Sequence, residues 1–236
     1  MRLTDEGRAL LSACTAPLAQ IESATAEFAR PRQKTLVVGA SLMFSVAWLA
    51  PRLPQFLSAH PSLRLDLRTL YGRPEQGGHD MDIWVAFGPF SPGLVAQRLF
   101  GERLTPVATP ELAQTIRTQA ALLAQNLIEP SAHETTWAHV LGLQLLPAGV
   151  RLTKVDNSLA ALNLAAAGGG VALARAPATD GLVAQLGLQP CALPECSIIG
   201  AEAYHVLHPE SPTPRPETRQ FRDWLLAQAA SAALPD

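Results

Sequence analysis

Only three cysteines occur in the 236 residues: Cys14, Cys191 and Cys196. So odd and sparse a set excludes a disulfide framework and fits a reducing compartment. Charge is scarce as well. Asp, Glu, Lys and Arg together make up 16% of the chain, and lysine occurs only at Lys34 and Lys154. A net charge of −2 and a pI of about 6.3 exclude a basic surface able to hold nucleic acid unaided. No apolar run of about 18 residues is free of charge or proline, so no membrane span is expected. No apolar stretch of the signal-peptide kind follows Met1-Arg2-Leu3-Thr4-Asp5-Glu6-Gly7-Arg8, so the expected location is the cytoplasm. What is abundant is apolar: 48% of residues, too many for a disordered chain. The length suits one or two domains with cores of their own.

The first thirty residues read as one helical block. Thr4 is a good N-cap with Asp5 and Glu6 in the first turn. Leu10, Cys14, Ile21 and Phe28 then recur at helical spacing, a coiled-coil-like seam that Pro17 kinks. A stripe this long ahead of a self-sufficient domain is expected to pack on a second copy of the chain. Arg30-Pro31-Arg32-Gln33-Lys34 reads as a hinge.

Strands and helices alternate beyond it. Leu36–Ala40 reads as a strand. Phe44–Ala59 reads as one amphipathic helix, irregular at Pro51 and Pro54. Leu63–Thr69 alternates in the manner of a half-buried strand, and Met81–Phe87 reads as a buried one. Leu94–Ala108 reads as one or two extended stretches interrupted at Gly101. Helices are expected over Pro110–Arg117, Thr135–Leu143, Ala178–Leu186 and Pro216–Ala230. A further helix, capped by Asn157 or Ser158, runs to Ala167 and stops at Gly168-Gly169-Gly170. Short strands fall between them, at Asn126–Glu129, Val150–Val155, Val171–Ala174, Gln189–Leu193 and Ala203–Leu207. The alternation implies an α/β fold on a parallel sheet with right-handed crossovers.

Catalytic motifs are missing. There is no Gly-x-Ser-x-Gly elbow, no phosphate-binding loop and no His-Glu-x-x-His. His79, Asp80 and Asp82 read as polar residues at a strand entrance, and His205 and His208 fall on opposite faces of a strand. No metal, no cofactor and no enzymatic activity are expected. Cys191 and Cys196 have no basic neighbour in sequence to activate a thiol.

Three strand-to-helix turns carry small polar residues instead: Ser41-Leu42-Met43-Phe44, Thr109-Pro110 and Asn157-Ser158. Ligands of open α/β sheets bind beyond the carboxyl ends of strands, where helix N-termini offer free N–H groups. Such turns, if they meet, suit a small anion such as a carboxylate. Ser, Thr and Asn also cap helices that bind nothing.

Several of these stretches carry a family resemblance. The run Leu36-Val37-Val38-Gly39-Ala40-Ser41, then Trp48-Leu49-Ala50-Pro51-Arg52-Leu53-Pro54, then His60-Pro61-Ser62-Leu63 resembles the start of the effector domain of LysR-type transcriptional regulators. Asp80-Met81-Asp82-Ile83, Asp156-Asn157-Ser158-Leu159 through Gly170-Val171-Ala172-Leu173, and Ala203-Tyr204-His205-Val206 before Phe221-Arg222-Asp223-Trp224 resemble later elements in the same order. Within that family the sequence is most similar to the glycine-cleavage-activator-like branch. Arg2-Leu3-Thr4-Asp5-Glu6-Gly7-Arg8 resembles the junction between the DNA-binding wing and the linker helix.

The resemblance implies a type-2 periplasmic-binding-protein-like fold: two α/β subdomains joined by crossing hinge strands, preceded by a long linker helix. It places a linker and dimerisation helix at 1–30 and an effector-binding domain at 34–236. The first subdomain would be 35–106 with 206–236, and the second 107–205. A small-molecule effector would bind between them. Ser41, Leu42, Met43, Phe44 and Thr69 would line one wall, facing Thr109, Asn157 and Ser158. The implied partners are that effector, a second copy of the chain in a homo-oligomer, and DNA only through a winged helix-turn-helix that this sequence lacks. A stand-alone solute-binding protein of the same fold is the competing expectation.

In this reading Arg2, Thr4 and Arg8 are the only remnants of DNA contact. Few phosphates would be neutralised and no base edge read. A gel shift of the purified chain with DNA flanking its own gene is therefore expected to give no competitor-resistant complex at about 0.15 M salt. A sharp complex would mean that residues 1–30 read bases.

Overall fold

The computed structural model of the chain describes residues 4, 35–70, 81–88, 94–131, 133, 135–193, 196–210 and 215–232. Apart from Thr4 and Thr35 these belong to one compact unit, Leu36–Asp236. The proposed seam (Leu10, Cys14, Ile21, Phe28) and the remnants Arg2 and Arg8 lie outside the described residues, and Thr4 is exposed.

Two long strands organise the unit. β1 (Thr35–Ala40), β2 (Arg64–Thr69), β3 (Ile83–Phe87), β4 (Leu94–Ala108), β7 (Ala172–Ala176) and β9 (Ile198–Pro209) form one sheet in the order β2-β1-β3-β9-β4-β7, with β8 (Gln189–Pro190) paired to β4. A smaller sheet pairs β5 (Asn126–Pro130) with β6 (Arg151–Val155) in parallel. The main sheet is mixed, which corrects the parallel sheet expected from the alternation of elements. β1 and β3 are parallel, but β9 runs antiparallel to β3 and β4, and β7 and β8 run antiparallel to β4. The cause is the 15-residue length of β4. β9 pairs with it over Leu94–Leu104, and β7 and β8 join near its C-terminal end, each antiparallel to it. Gly101 does not interrupt it. The ladder with β9 instead absorbs two register shifts, between Arg98 and Phe100 and between Gly101 and Arg103.

Three large apolar clusters and a small one at Trp84, Ala86 and Leu207 pack against the strands. Leu36, Val38, Ile83, Val85, Phe100, Val206, Phe221 and Leu225 make the first, closed by α8 (Pro216–Ala232). Leu104, Ile116, Leu122, Leu127, Trp137 and Leu173 make the second. The third joins Met43 and Ala47 to Val107, Ile128, Ala161, Leu162, Ala172 and Leu182. Alternation along β1 explains its part: Leu36, Val38 and Ala40 are fully buried, and Thr35 and Val37 only partly.

The helix expected over Phe44–Ala59 is two elements. α1 (Phe44–Leu49) is wound as a π-helix, with Ala50 N–H donating to the Ser45 carbonyl at 2.9 Å. α2 (Leu53–Ala59) restarts beyond Pro51. Winding five residues apart buries Phe44, Ser45, Ala47, Trp48 and Leu49 and leaves Val46 exposed. α1 is thereby wedged between the first and third clusters. Four expected helices are shorter, α3 (Pro110–Thr115), α5 (Trp137–Val140), α6 (Ser158–Ala166) and α7 (Asp180–Gln185), and α4 (Gln119–Leu123) was not expected.

The glycine triplet does stop α6. Gly168 N–H donates to the Ala165 carbonyl and Gly169 N–H to the Leu164 carbonyl. Gly170 (φ +139°) then swings the chain against β5, where a Cβ would run into the Asn126 carbonyl. Gly142 also has positive φ (+65°), but nothing lies within 4 Å of its Cβ position. Gly142→Ala is expected to cost about 1 kcal/mol, the backbone penalty alone. Gly170→Ala adds a steric clash with backbone and is expected to cost about 3 kcal/mol. Urea midpoints of the two variants test this; equal costs would mean that close approach to Asn126 contributes nothing.

Candidate functional site

Each flagged turn begins a helix at the end of a strand. After β1, Ser41 Oγ accepts from Phe44 N–H at 3.3 Å. After β4, Thr109 Oγ1 accepts from Leu112 N–H at 3.5 Å, at the limit of a hydrogen bond. After β6, Asn157 Oδ1 accepts from Ala160 N–H at 2.9 Å, and Ser158 opens α6. Thr69 ends β2 beside the first turn, since Leu70 N–H donates to the Ala40 carbonyl. Leu42 is half-buried and Met43 is buried in the third cluster.

Phe44 corrects the expected wall. Its ring is fully enclosed, stacked on Trp48 at 4.9 Å between centroids and tilted against Tyr204 at 5.1 Å. The side chain belongs to the first core, and what it lends the turn is rigidity. Ser158 is also hidden, at 1% exposure, while Asn157 is half-buried.

Sequence reasoning passed over the groups that these serines meet. The Ser41 side chain is hydrogen-bonded to Tyr204 of β9, a buried phenol pushed up to about 12 by burial and by Glu102. Ser158 Oγ lies 2.9 Å from Nε2 of His133, on the connection after β5. Burial, with the Arg175 cation nearby, holds His133 down to about 3, so the ring is neutral at physiological pH.

Glu102 and Arg175 lie between the two sets. Arg175 Nη1 donates to Glu102 Oε1 at 2.7 Å, with side-chain exposures of 3% and 2%. Nη2 donates to the Thr135 carbonyl at 3.2 Å, and Nε has no partner. Glu102 is raised above the usual carboxylate range because burial outweighs the attraction of Arg175, with Glu202 adding repulsion. Tyr204 feels both members of the pair, and His133 feels Arg175.

Both charges left a trace in the sequence. Glu102 interrupts a strand whose neighbours Phe100 and Leu104 are core residues, and Arg175 sits inside the apolar run Val171–Ala178. A charge on a buried strand implies a partner. Their separation of 73 positions along the chain hides the pairing.

Other candidates do not gather. Asp82 is taken by Arg215 at 2.9 Å and by Val37 N–H at 2.9 Å. Among the described residues, no group of three or more His, Cys, Asp and Glu could hold a metal, and no helix is long and apolar enough to cross a membrane. Cys191 and Cys196 are both buried, and burial pushes the Cys191 thiol up to about 11, far from a reactive thiolate.

Residues 29–230 match the family described as the LysR substrate binding domain. The chain is 32% identical over 238 residues to the HTH-type transcriptional activator AmpR of Pseudomonas aeruginosa, a match covering 99% of this chain and 79% of that protein. It is 26% identical over 235 residues to the glycine cleavage system transcriptional activator of Escherichia coli, covering 97% and 76%. The solved effector domain of the P. aeruginosa AmpR has a similar structure, with a TM-score of 0.69 at 31% identity over 84% of this chain and 96% of that one. The AmpR effector binding domain of Citrobacter freundii, 24% identical, shares the fold at a TM-score of 0.70. These relatives are named as regulators and not as enzymes. The sheet built on β4 and β9 is thus the type-2 periplasmic-binding-protein-like fold that the sequence resemblance implied. The chain belongs to the LysR family of transcriptional regulators, and what it carries is that family's effector-binding domain.

Proposed function

We propose that this domain senses a small organic anion bearing a carboxylate, held between the turns after β1 and β6. The observation that carries the reading is the pairing of two hydroxyls with two ring systems: Ser41 with the buried Tyr204, and Ser158 with the half-buried His133. Both pairs are electrically coupled to Arg175. Hydroxyls and backbone N–H groups at the caps of Ser41, Thr109 and Asn157 are donors suited to an anion. Leu42 and Met43 supply an apolar surface beside them.

In this reading the halves that close on the effector are 35–106 with 206–236, and 107–205. Residues 1–30 pair two copies of the chain, and the protein works in the cytoplasm. DNA is reached only through a winged helix-turn-helix. The chain acts by binding and does not turn its ligand over.

His133 has a defined part. A cationic imidazole beside Arg175 would be a second buried positive charge, so the fold holds the ring neutral. The ring then fixes the Ser158 hydroxyl without adding charge.

A thermal-shift screen of small metabolites is expected to favour carboxylates. Ser41→Ala and Asn157→Ala should each weaken the best hit by about 1–2 kcal/mol, a hydrogen bond left unmade. A hit whose affinity ignores both changes moves the site elsewhere.

The His133 argument also fixes a pH dependence. The folded pKa of about 3 lies below the 6.5 of the free side chain. Stability is therefore undiminished above about 6.5 and falls as pH drops from there towards 3, because the unfolded chain takes up a proton that the folded one refuses. Between about pH 6.5 and pH 5 the loss from this group is up to about 2 kcal/mol. His133→Gln should remove that part of the loss, read as urea midpoints at the two pH values. Parallel losses in the variant and the parent chain would mean that His133 does not titrate this way.

A further inference from the structure

Among the described residues, the buried pair Glu102–Arg175 differs from three more exposed ion pairs. Asp66–Arg68, Asp82–Arg215 and Arg222–Asp223 all keep part of their charge in water. Glu102 and Arg175 have almost none, at 2% and 3% exposure. The guanidinium also keeps an unused donor, Nε, buried with no hydrogen-bond partner. An orphaned charged donor in a dry site is costly, and here it lies electrically close to both serine-bearing turns.

We propose that Arg175 is the receptor for the effector's anionic group and Glu102 its resident counter-ion, so that the effector enters together with one proton. This rests on the reading above that the effector is an organic anion. The charge balance carries the argument. Arg175 and Glu102 sum to zero. A bound monoanion would leave one uncompensated negative charge in a desolvated site, which is strongly unfavourable. One proton from solvent, taken by Glu102, returns the sum to zero: carboxylate and proton become the neutral acid, and the guanidinium passes from Glu102 to the ligand. The carboxyl does not have to move away. Once protonated, it ceases to compete.

The surroundings of Glu102 favour that step. From β7 it faces Arg175, and from β9 Glu202 and Tyr204. Arg98, on β4 itself, lies beside Gly101. Glu202 is a second carboxylate whose repulsion makes a negative Glu102 dearer still, and its oxygens reach over Gly88 at the end of β3. His133 is neutral and supplies no competing proton. The Glu102 side chain lies against Gly200 of β9, where any Cβ would collide with its Cγ, so the strand is built to hold a carboxyl at this place.

The probe is acetate, titrated into the full chain between about pH 6 and pH 8.5, where acetate itself stays ionised. Affinity for the parent chain should fall as pH rises, approaching tenfold per unit, the signature of one proton taken up per anion. In Glu102→Gln the pH dependence should vanish and acetate should bind at the alkaline end as well as at the acid end. The double variant Glu102→Met/Arg175→Met should lose the response and report the general effect of salt. Should Glu102→Gln fail to fold, calorimetry of the parent chain in buffers of different ionisation enthalpy counts the protons directly, with one per acetate expected. A pH-independent affinity, a count of zero, an unchanged response in the double variant, or no acetate response in the parent chain and Glu102→Gln alike each overturns the proposal. Carboxylate hits that persist without Arg175 would leave the effector reading standing and sink this inference alone.

Discussion

A carboxylate on β4 and a guanidinium on β7, 2.7 Å apart and both nearly dry, sit on neighbouring strands of the main sheet. Neither could be there alone, since an isolated buried charge costs several kcal/mol. Their presence constrains the rest of the middle of the domain. β4 must turn residue 102 inward between Phe100 and Leu104, and the ladder shifts register across it, between Gly101 and Arg103. β9 must offer Gly200 to make room for the side chain. The connection after β5 must bring the Thr135 carbonyl to the second nitrogen of Arg175. Burial sets the ionisation of Tyr204 and of His133 first; Tyr204 then feels both charges and His133 feels Arg175.

The fold was legible where one chemical rule decides locally. Thr109, Asn157 and the glycine triplet mark helix ends through caps and positive φ, and the structure has helices starting or stopping at each. The hydrophobic run of β3 and the alternation of β1 read directly as buried strands. Strand direction was not legible. Counting alternating elements implies parallel neighbours, but β4 and β9 are long enough to serve both sides of the domain, and their antiparallel ladder is the longest in the sheet. Residues more than ninety positions apart make it, and no local pattern reports that.

The turn after β1 failed for a related reason. Periodicity over Phe44–Ala59 fits an α-helix, and Pro51 marks its break. The winding of Phe44–Leu49 is decided by what lies on either side. Trp48 and Phe44 must reach Phe100 and Tyr204, while Met43 and Ala47 must reach the third cluster. A 3.6-residue winding points a narrower stripe inward, and the π-helix widens it. Phe44 therefore looked like a wall of the site and belongs to its foundation. The serine at the head of the turn is held by a core that cannot shift without disturbing four aromatic rings. That stiffness suits a residue that must meet a ligand at a fixed angle.

The candidate site was legible as caps and illegible as charge, and charge decides how strongly a small ligand can be held. A neutral hydrogen bond contributes about 0.5–1.5 kcal/mol net, and one to a charged group about 1.5–3. A small carboxylate has little apolar surface to bury, at about 25 cal/mol per Å². Two or three bonds from Ser41, Ser158 and a cap N–H thus give only a few kcal/mol, against about 8 kcal/mol for micromolar binding. Neutral caps alone would make a millimolar sensor. The proposal assigns the missing part to a charge-assisted contact with Arg175, the cation that is coupled to both Tyr204 and His133. With Glu102 ionised, that cation is already spent. In the proposed mode of binding, the strength of the sensor is set less by the residues that touch the ligand first than by the protonation of a glutamate behind them.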